Sequence, residues 1–134
     1  MCKITISNIS GSIASILSDL IRLDVSALTQ NNNVLANESA MHASQQVATV
    51  SMYLVELVNL KDKNDNDNKS IKGILEISIP QLQQIINRLG DIFHQISELD
   101  VISSSLNSAI NELERLEWRE LKISLIILFA SIYK

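Results

Sequence analysis

Apolar residues recur along most of this chain at alternating steps of three and four positions, the spacing that aligns side chains on one face of an α-helix. This pattern predicts a first helix over about residues 10–29 and a second over about 34–60. At the start of the chain Ile4 and Ile6 alternate with polar residues, which fits a short strand but favours a tail at residues 1–9. The run Gln30–Asn33 is poor helix material and predicts a turn between them. The first helix has its apolar row at Ile9, Ile13, Ile16, Leu20, Leu23 and Ala27, and the second at Ala36, Ala40, Ala43, Val47, Val50, Leu54 and Leu57.

The middle of the chain gives a weaker pattern. Residues 61–70 are almost entirely polar with nearly balanced charge, so they predict a mobile surface loop. In residues 71–79 the apolar positions alternate with polar ones as in a strand. The only comparable stretch is Ile4–Ile6, so a short strand, a short helix and an extended connector all fit residues 71–79.

A third apolar row begins just after Pro80, a residue that is well tolerated in the first turn of a helix. It predicts helices over about residues 80–100 and 104–133. This row consists of Leu82, Ile85, Leu89, Ile92, Ile96, Leu99, Leu106, Ile110 and Leu113, and it resumes out of phase as Leu121, Leu125, Leu128 and Ile132.

Residues 82–133 are too long to form one helix in a compact domain. Such a helix would extend about 78 Å, whereas a domain of this size has a radius of gyration of about 14 Å. We therefore predict a break near Asp100–Ser105, where Ser103 interrupts the apolar row. The predicted fold is all-α: an antiparallel helical bundle, or a helical hairpin plus a long C-terminal helix, with coiled-coil-like seams.

The segment Ile123–Tyr133 is apolar on every side of a helix rather than along one stripe. A helix of that kind must be covered all round, and this one has about half the length that a membrane span needs. The pattern favours a central core helix. An oligomer interface and insertion into a membrane or a partner's groove are the alternatives.

Composition agrees with a few long helices. Apolar residues make up 46% of the 134 residues but aromatic ones only 4%, with one proline and three glycines, whereas all-β folds need many turns. The net charge is −4 and the basic residues are scattered, so we expect no nucleic-acid partner. The single Cys2 excludes an intrachain disulfide and a cysteine-based metal cluster.

Two sets of residues approach metal-binding patterns and depart from them. A calcium loop that starts at Asp62 has Asp67 where glycine is needed and Gly73 where a bidentate glutamate is needed. His94 follows an aspartate by three positions and His42 follows a glutamate by four, whereas di-metal carboxylate bundles use Glu-x-x-His on two helices. The sequence contains no catalytic triad, phosphate loop or dinucleotide fingerprint. We predict no metal, no cofactor and no enzymatic activity.

The only tryptophan lies in a charged stretch near the end of the chain. Its glutamates predict a solvated helix face, but tryptophan and arginine are the residue types enriched at interaction hot spots. We therefore predict contact with a protein partner, or self-association through the helical seams. The candidate residues are Trp118, Arg115, Arg119, Leu125, Leu128 and Phe129.

The opening of the chain, Met1 to Ser15, is rich in serine, isoleucine, threonine and asparagine, and the first acidic residue is Asp19. This composition resembles the uncleaved leader of a bacterial type III secretion substrate. The helical layout is similar to that of the filament, tip and translocator proteins of such systems, which carry a helical hairpin and a long C-terminal coiled-coil helix. The resemblance implies a secreted, virulence-associated protein that works by assembly.

No cleavable secretory signal is visible, because the opening lacks a continuous apolar stretch. We therefore expect a cytoplasmic location or export by a route other than Sec. The leading interpretation is a non-enzymatic interaction protein, either a component or a substrate of a bacterial secretion system. The alternatives are a membrane-active helical protein that uses Ile123–Tyr133, and a cytosolic chaperone or adaptor.

Overall fold

The computed structural model describes residues 2–22, 33–61, 65–90 and 99–132. These ranges contain five α-helices and no strand, which confirms the predicted all-α helical bundle. The helices are α1 (Cys2–Ile21), α2 (Asn33–Asn59), α3 (Asp65–Arg88), α4 (Leu99–Glu114) and α5 (Trp118–Ile132).

Contacts between helix ends establish the direction of each helix. Arg88, the last residue of α3, donates a hydrogen bond from Nη1 to the carbonyl oxygen of Ile21 at 2.6 Å, so α1 and α3 end at the same end of the bundle. Lys61 follows α2 and places its Nζ 5.7 Å from the ring centroid of Trp118, so α5 begins where α2 ends. A three-residue turn reverses the chain between α4 and α5. Only three residues separate Lys61 from Asp65, so α3 begins near the end of α2. The helices therefore run up, down, up, down and up in chain order.

In space the helices form a ring in the order α1, α2, α5, α4 and α3. The most extensive contacts join α4 to α5 and α2 to α5, while α1 packs against α2 and α3, and α3 packs against α4. A ring with an odd number of members cannot alternate in direction all the way round. The parallel pair is α1 with α3, and the hydrogen bond from Arg88 joins their ends.

The buried apolar side chains form one cluster to which all five helices contribute. Burial of a leucine or isoleucine side chain stabilises the fold by about 1.5–3 kcal/mol, so this cluster is the main source of stability. Members that the apolar spacing predicts include Ile13, Leu20, Val47, Leu54, Leu57, Leu82, Leu89, Leu106, Leu113, Leu121, Leu125 and Leu128.

The prediction of a tail at residues 1–9 is wrong, because α1 begins at Cys2. Ile6 and Ile9 are buried together with Ile13 and Leu17, and these positions follow the helical spacing of three and four. The short alternation at the start of the chain hid this longer period. The helix also ends at Ile21 rather than near residue 29. Residues 23–32 lie outside the described residues, and Asn33, the last residue of the predicted turn, begins α2.

The predicted loop at 61–70 and the ambiguous stretch at 71–79 are corrected by α3, which begins at Asp65 and continues to Arg88. Ile71, Leu75 and Ile79 are spaced by four residues and are fully buried, so they hold this stretch as one helix against the core. Residues 62–64 of the predicted loop lie outside the described residues. Pro80 is therefore inside a helix and not in its first turn.

The break predicted near Asp100–Ser105 is also wrong, because α4 passes through that segment without interruption. Its buried face carries Ile102, Leu106, Ala109 and Leu113, which are spaced by three and four residues. Ser103 is not part of this buried row, so it does not interrupt the helix. Between α4 and α5 the chain reverses instead at residues 115–117. Residues 82–132 thus do not form one helix, and the described residues contain five helices rather than four.

The turn between α4 and α5 is a Schellman motif with a leucine in the position that glycine prefers. Leu116 has a φ of 57°, in the left-handed region. The amide of Glu117 donates to the carbonyl of Glu112 at 2.9 Å. The amide of Leu116 donates to the carbonyl of Leu113 at 3.1 Å. Both hydrogen bonds satisfy carbonyls at the end of α4, at a conformational cost to leucine of about 1–2 kcal/mol.

Leu116→Gly is expected to raise the free energy of unfolding by roughly 0.5–1 kcal/mol, because the released strain exceeds the greater chain entropy of glycine. Urea denaturation followed by circular dichroism measures the change. Leu116→Ala is the matched control, since alanine keeps the strain and should bring no gain. Equal gains in both variants would show that the exposed side chain, and not the backbone angle, limits stability.

Candidate interaction surface

Helix α5 carries apolar residues on two opposite faces. Leu121, Leu125, Leu128 and Ile132 face the core and are buried, whereas Ile123, Ile126 and Ile127 are 50%, 45% and 46% exposed. The three exposed isoleucines are spaced by three and one positions and so lie on the same side of the helix; we call them the isoleucine ridge. The expectation of a core helix covered on every side is therefore wrong, because the bundle covers only one side of α5.

A groove of about 380 Å³ lies beside this ridge, between α4 and α5. On the α4 side the groove is lined by the small side chains of Ser104, Ser105 and Ser108, which leave room beside the larger Ile127 of α5. Four serine side chains contribute to the wall, so we call it the serine groove. Its lining residues are Asp100, Val101, Ser104, Ser105, Ser108, Ser124 and Ile127.

One hydrogen bond joins the two helices that form this surface. The hydroxyl of Ser124, which is buried, donates to Oε1 of Glu112 at 2.5 Å. A hydrogen bond to a carboxylate is stronger than one between neutral groups. It therefore holds α5 at a fixed position along α4 and keeps the ridge beside the groove.

Ser124→Ala is expected to lower the free energy of unfolding by about 1.5–3 kcal/mol, because the half-buried carboxylate of Glu112 loses its hydrogen-bond donor. Ser131→Ala is the control: its hydroxyl donates to the carbonyl of Ile127 in the same helix at 2.8 Å and joins no second described helix. We expect the control to change stability by less than about 0.5 kcal/mol. Similar losses for both serines in urea denaturation would contradict a role for the bond between helices.

The six residues predicted to bind a partner divide between core and surface. Arg115 and Arg119 are exposed near the turn. Trp118 and Phe129 are half-buried against the core, and Trp118 is also covered by Lys61. The remaining two, Leu125 and Leu128, are fully buried and cannot reach a partner while the bundle is closed.

The exposed isoleucines were not among the six residues predicted to bind a partner, although the apolar segment Ile123–Tyr133 contains them. A usable signal was present, because the row Leu121, Leu125, Leu128 and Ile132 already defines one buried face of α5. Any isoleucine on the opposite side must then face solvent or a partner. The uniform apolar character of the segment concealed this division.

Within the ranges that the structure describes, no three histidine, cysteine, aspartate or glutamate side chains group as metal ligands would. His42 is exposed, and His94 lies outside the described residues. None of the described helices combines the length and apolar character needed to cross a membrane. Comparison with protein-family models, curated proteins and solved structures gives no match to this chain.

Proposed function

We propose that this protein is a non-enzymatic interaction protein, which binds a partner through the isoleucine ridge of α5 and the serine groove beside it. The observation that carries the proposal is the exposure of three neighbouring isoleucines on a helix whose other face is fully packed. Contiguous exposed apolar side chains next to polar ones are a common feature of interaction sites.

The shape of this surface suits an α-helix as the occupant. The groove runs between two adjacent helices, and Ile127 of the ridge forms part of one wall. A helix laid along such a groove buries one apolar stripe and leaves its polar side in water. The charged residues near the turn include both signs, Arg115 and Arg119 with Glu120, so they can orient a helical partner that carries charges of its own.

Charge makes a lipid surface a poorer occupant of the ridge. Residues 112–122 contain four glutamates, two arginines and one lysine, and the whole chain has a net charge of −4. Binding of an apolar helix face to anionic lipid gains much of its strength from basic flanking residues. In flotation with anionic liposomes we therefore expect the protein to stay with the soluble fraction, and co-flotation would favour the membrane-active alternative.

The proposal includes a place among the components or substrates of a bacterial secretion system, supported by the leader-like composition of Met1–Ser15. In the bundle residues 2–15 of this segment belong to α1, and Ile6, Ile9 and Ile13 are buried. Export that begins at this end therefore requires α1 to leave the core first. Release into the medium by a strain with a type III apparatus, and not by its apparatus-deficient counterpart, is the expected result; equal release by both contradicts this part of the proposal.

Photo-cross-linking tests the interaction surface directly. Benzoylphenylalanine replaces Ile127 in the ridge or, as the matched control, Ile77, which is 64% exposed on α3. In the cells that produce the protein, we expect protein adducts from position 127 and none from position 77. Absence of protein adducts at position 127, or the same adducts at both positions, would overturn the proposed function.

A further inference from the structure

We propose that the occupant of this surface is a second copy of the chain, and that two copies pair their α4–α5 hairpins into an intermolecular four-helix bundle. The inference rests on the proposed function, because it names the partner that covers the same ridge and groove. Three features carry it: the shape of the face, the direction of its helices and the charges at its end.

The face is complementary to itself in shape. The protruding Ile127 and the small Ser104 and Ser108 line the same groove from opposite sides. A twofold axis that runs between α4 and α5, parallel to both, lays α5 of one copy over α4 of the other. The isoleucines of each copy then fit against the serine stripe of the other, so a ridge meets a groove on both sides of the axis.

The helix directions suit this arrangement as well. Helices α4 and α5 are antiparallel within one copy, since a three-residue turn joins them. The same axis places each α5 antiparallel to α4 of the second copy. Every adjacent pair in the resulting four-helix bundle is therefore antiparallel, as in up-and-down bundles, with helix dipoles opposed.

The charges at the turn end of the hairpin are complementary across this axis. Ser104, Ser108 and Arg115 are spaced by four and seven residues and so lie on the same side of α4. Glu120 precedes Ile127 by seven residues and lies on the same side of α5 as that isoleucine. Arg115 and Glu120 are both exposed, and neither forms an ion pair with another described residue. The twofold axis brings Arg115 of each copy opposite Glu120 of the other, which gives two reciprocal ion pairs and fixes the orientation.

The size of the face limits how strong the pairing can be. A helix the length of α5 extends about 22 Å, and neighbouring helices lie about 8–10 Å apart. Such a two-helix face falls at the small end of specific protein interfaces. We therefore expect a reversible dimer with a dissociation constant in the micromolar range rather than a permanent one.

Sedimentation velocity over a range of protein concentrations tests the dimer. We expect the full chain to change from monomer to dimer as concentration rises, and Ile127→Glu to weaken the pairing at least about tenfold. Ile77→Glu is the matched control, since Ile77 is an exposed isoleucine on α3, outside the proposed interface, and this variant should dimerise like the parent chain. A parent chain that stays monomeric at all concentrations, or equal weakening by both variants, would overturn the inference.

A charge exchange tests the orientation. Arg115→Glu and Glu120→Arg should each weaken dimerisation several-fold, and the double variant should restore it because the pairs form again with reversed signs. Helical circular dichroism verifies that all three variants are folded. A double variant that dimerises no better than the single ones would exclude the proposed axis.

The two proposals fail in different ways. A cross-link from position 127 to a different protein, combined with a monomeric parent chain, overturns the second-copy inference and leaves the proposed function intact. A cross-link between an isotope-labelled and an unlabelled copy of this chain supports both. No protein adduct at position 127 overturns both.

Discussion

Leu128→Ala is expected to lower the free energy of unfolding by about 2–5 kcal/mol, the range for removing a leucine side chain from a packed core. Leu128 is 0% exposed and belongs to the face of α5 that packs against the rest of the bundle. The cavity left by the substitution lies where α5 meets α2 and α4, the two helices with which it makes most of its contacts. Urea denaturation gives the change in free energy directly.

Ile127→Ala is the matched control one residue away. Ile127 is half-exposed on the opposite side of the helix, so we expect it to lower stability by less than about 1 kcal/mol. Together the pair separates the two faces of α5: the change at Leu128 affects folding, and changes at Ile127 affect association. Equal losses of stability at both positions would show that the ridge is part of the core, which would contradict the proposed surface.

Pro80→Ala is expected to raise the free energy of unfolding by about 1–3 kcal/mol. Pro80 lies inside α3 and has no backbone N–H to donate to the carbonyl of Glu76. Alanine restores that donor and removes the clash of the proline ring with the preceding turn. Because Pro80 is only half-buried, the smaller side chain leaves no closed cavity in the core.

Thermal unfolding monitored by circular dichroism checks this expectation, with Gln81→Ala as the control. Gln81 is exposed in the same helix, and its replacement should change stability by less than about 0.5 kcal/mol. A loss of stability in Pro80→Ala would contradict the prediction. It would mean that the packing of α3 against α1 and α4 depends on a bend at the proline.

The sequence predicted the fold class because the spacing of its aliphatic residues is regular over most of the chain. Every residue of the second apolar row from Ala43 to Leu57 is buried in α2. The ends of the helices were harder to predict, since they depend on which face of each helix is buried in the core. In α4 the apolar row runs through Ile102 and Ala109, and a row drawn through Leu99 and Ile110 makes Ser103 look like a break.

Two local signals were misleading for physical reasons. The polar residues at the start of α3 have low helix propensity, but the fully buried Ile71 and Leu75 hold the segment against the core and override it. At the α4–α5 turn no glycine or proline marks the reversal, because Leu116 takes the left-handed conformation itself. Tertiary packing decides both cases, and a single sequence does not reveal it.

The candidate surface could be predicted only in part. The sequence drew attention to the region from Arg115 to Phe129, which overlaps the candidate surface, but it did not show which of these residues are exposed. Four apolar residues in a helix turn look alike in sequence, and only the positions of α2 and α4 determine which of them are covered. The serine groove left no sequence signal, since serines on a helix usually face water.

The position of α5 between α2 and α4 affects how fast the protein folds. The α4–α5 hairpin closes over a three-residue turn, so its loop entropy is small, whereas α2 meets α5 only after a loop on the order of 60 residues has closed. That entropy is lost before the contacts between α2 and α5 compensate for it. Docking of α2 onto a preformed α4–α5 hairpin is therefore the expected rate-limiting step, and nascent chains expose the core face of α5 until it is complete.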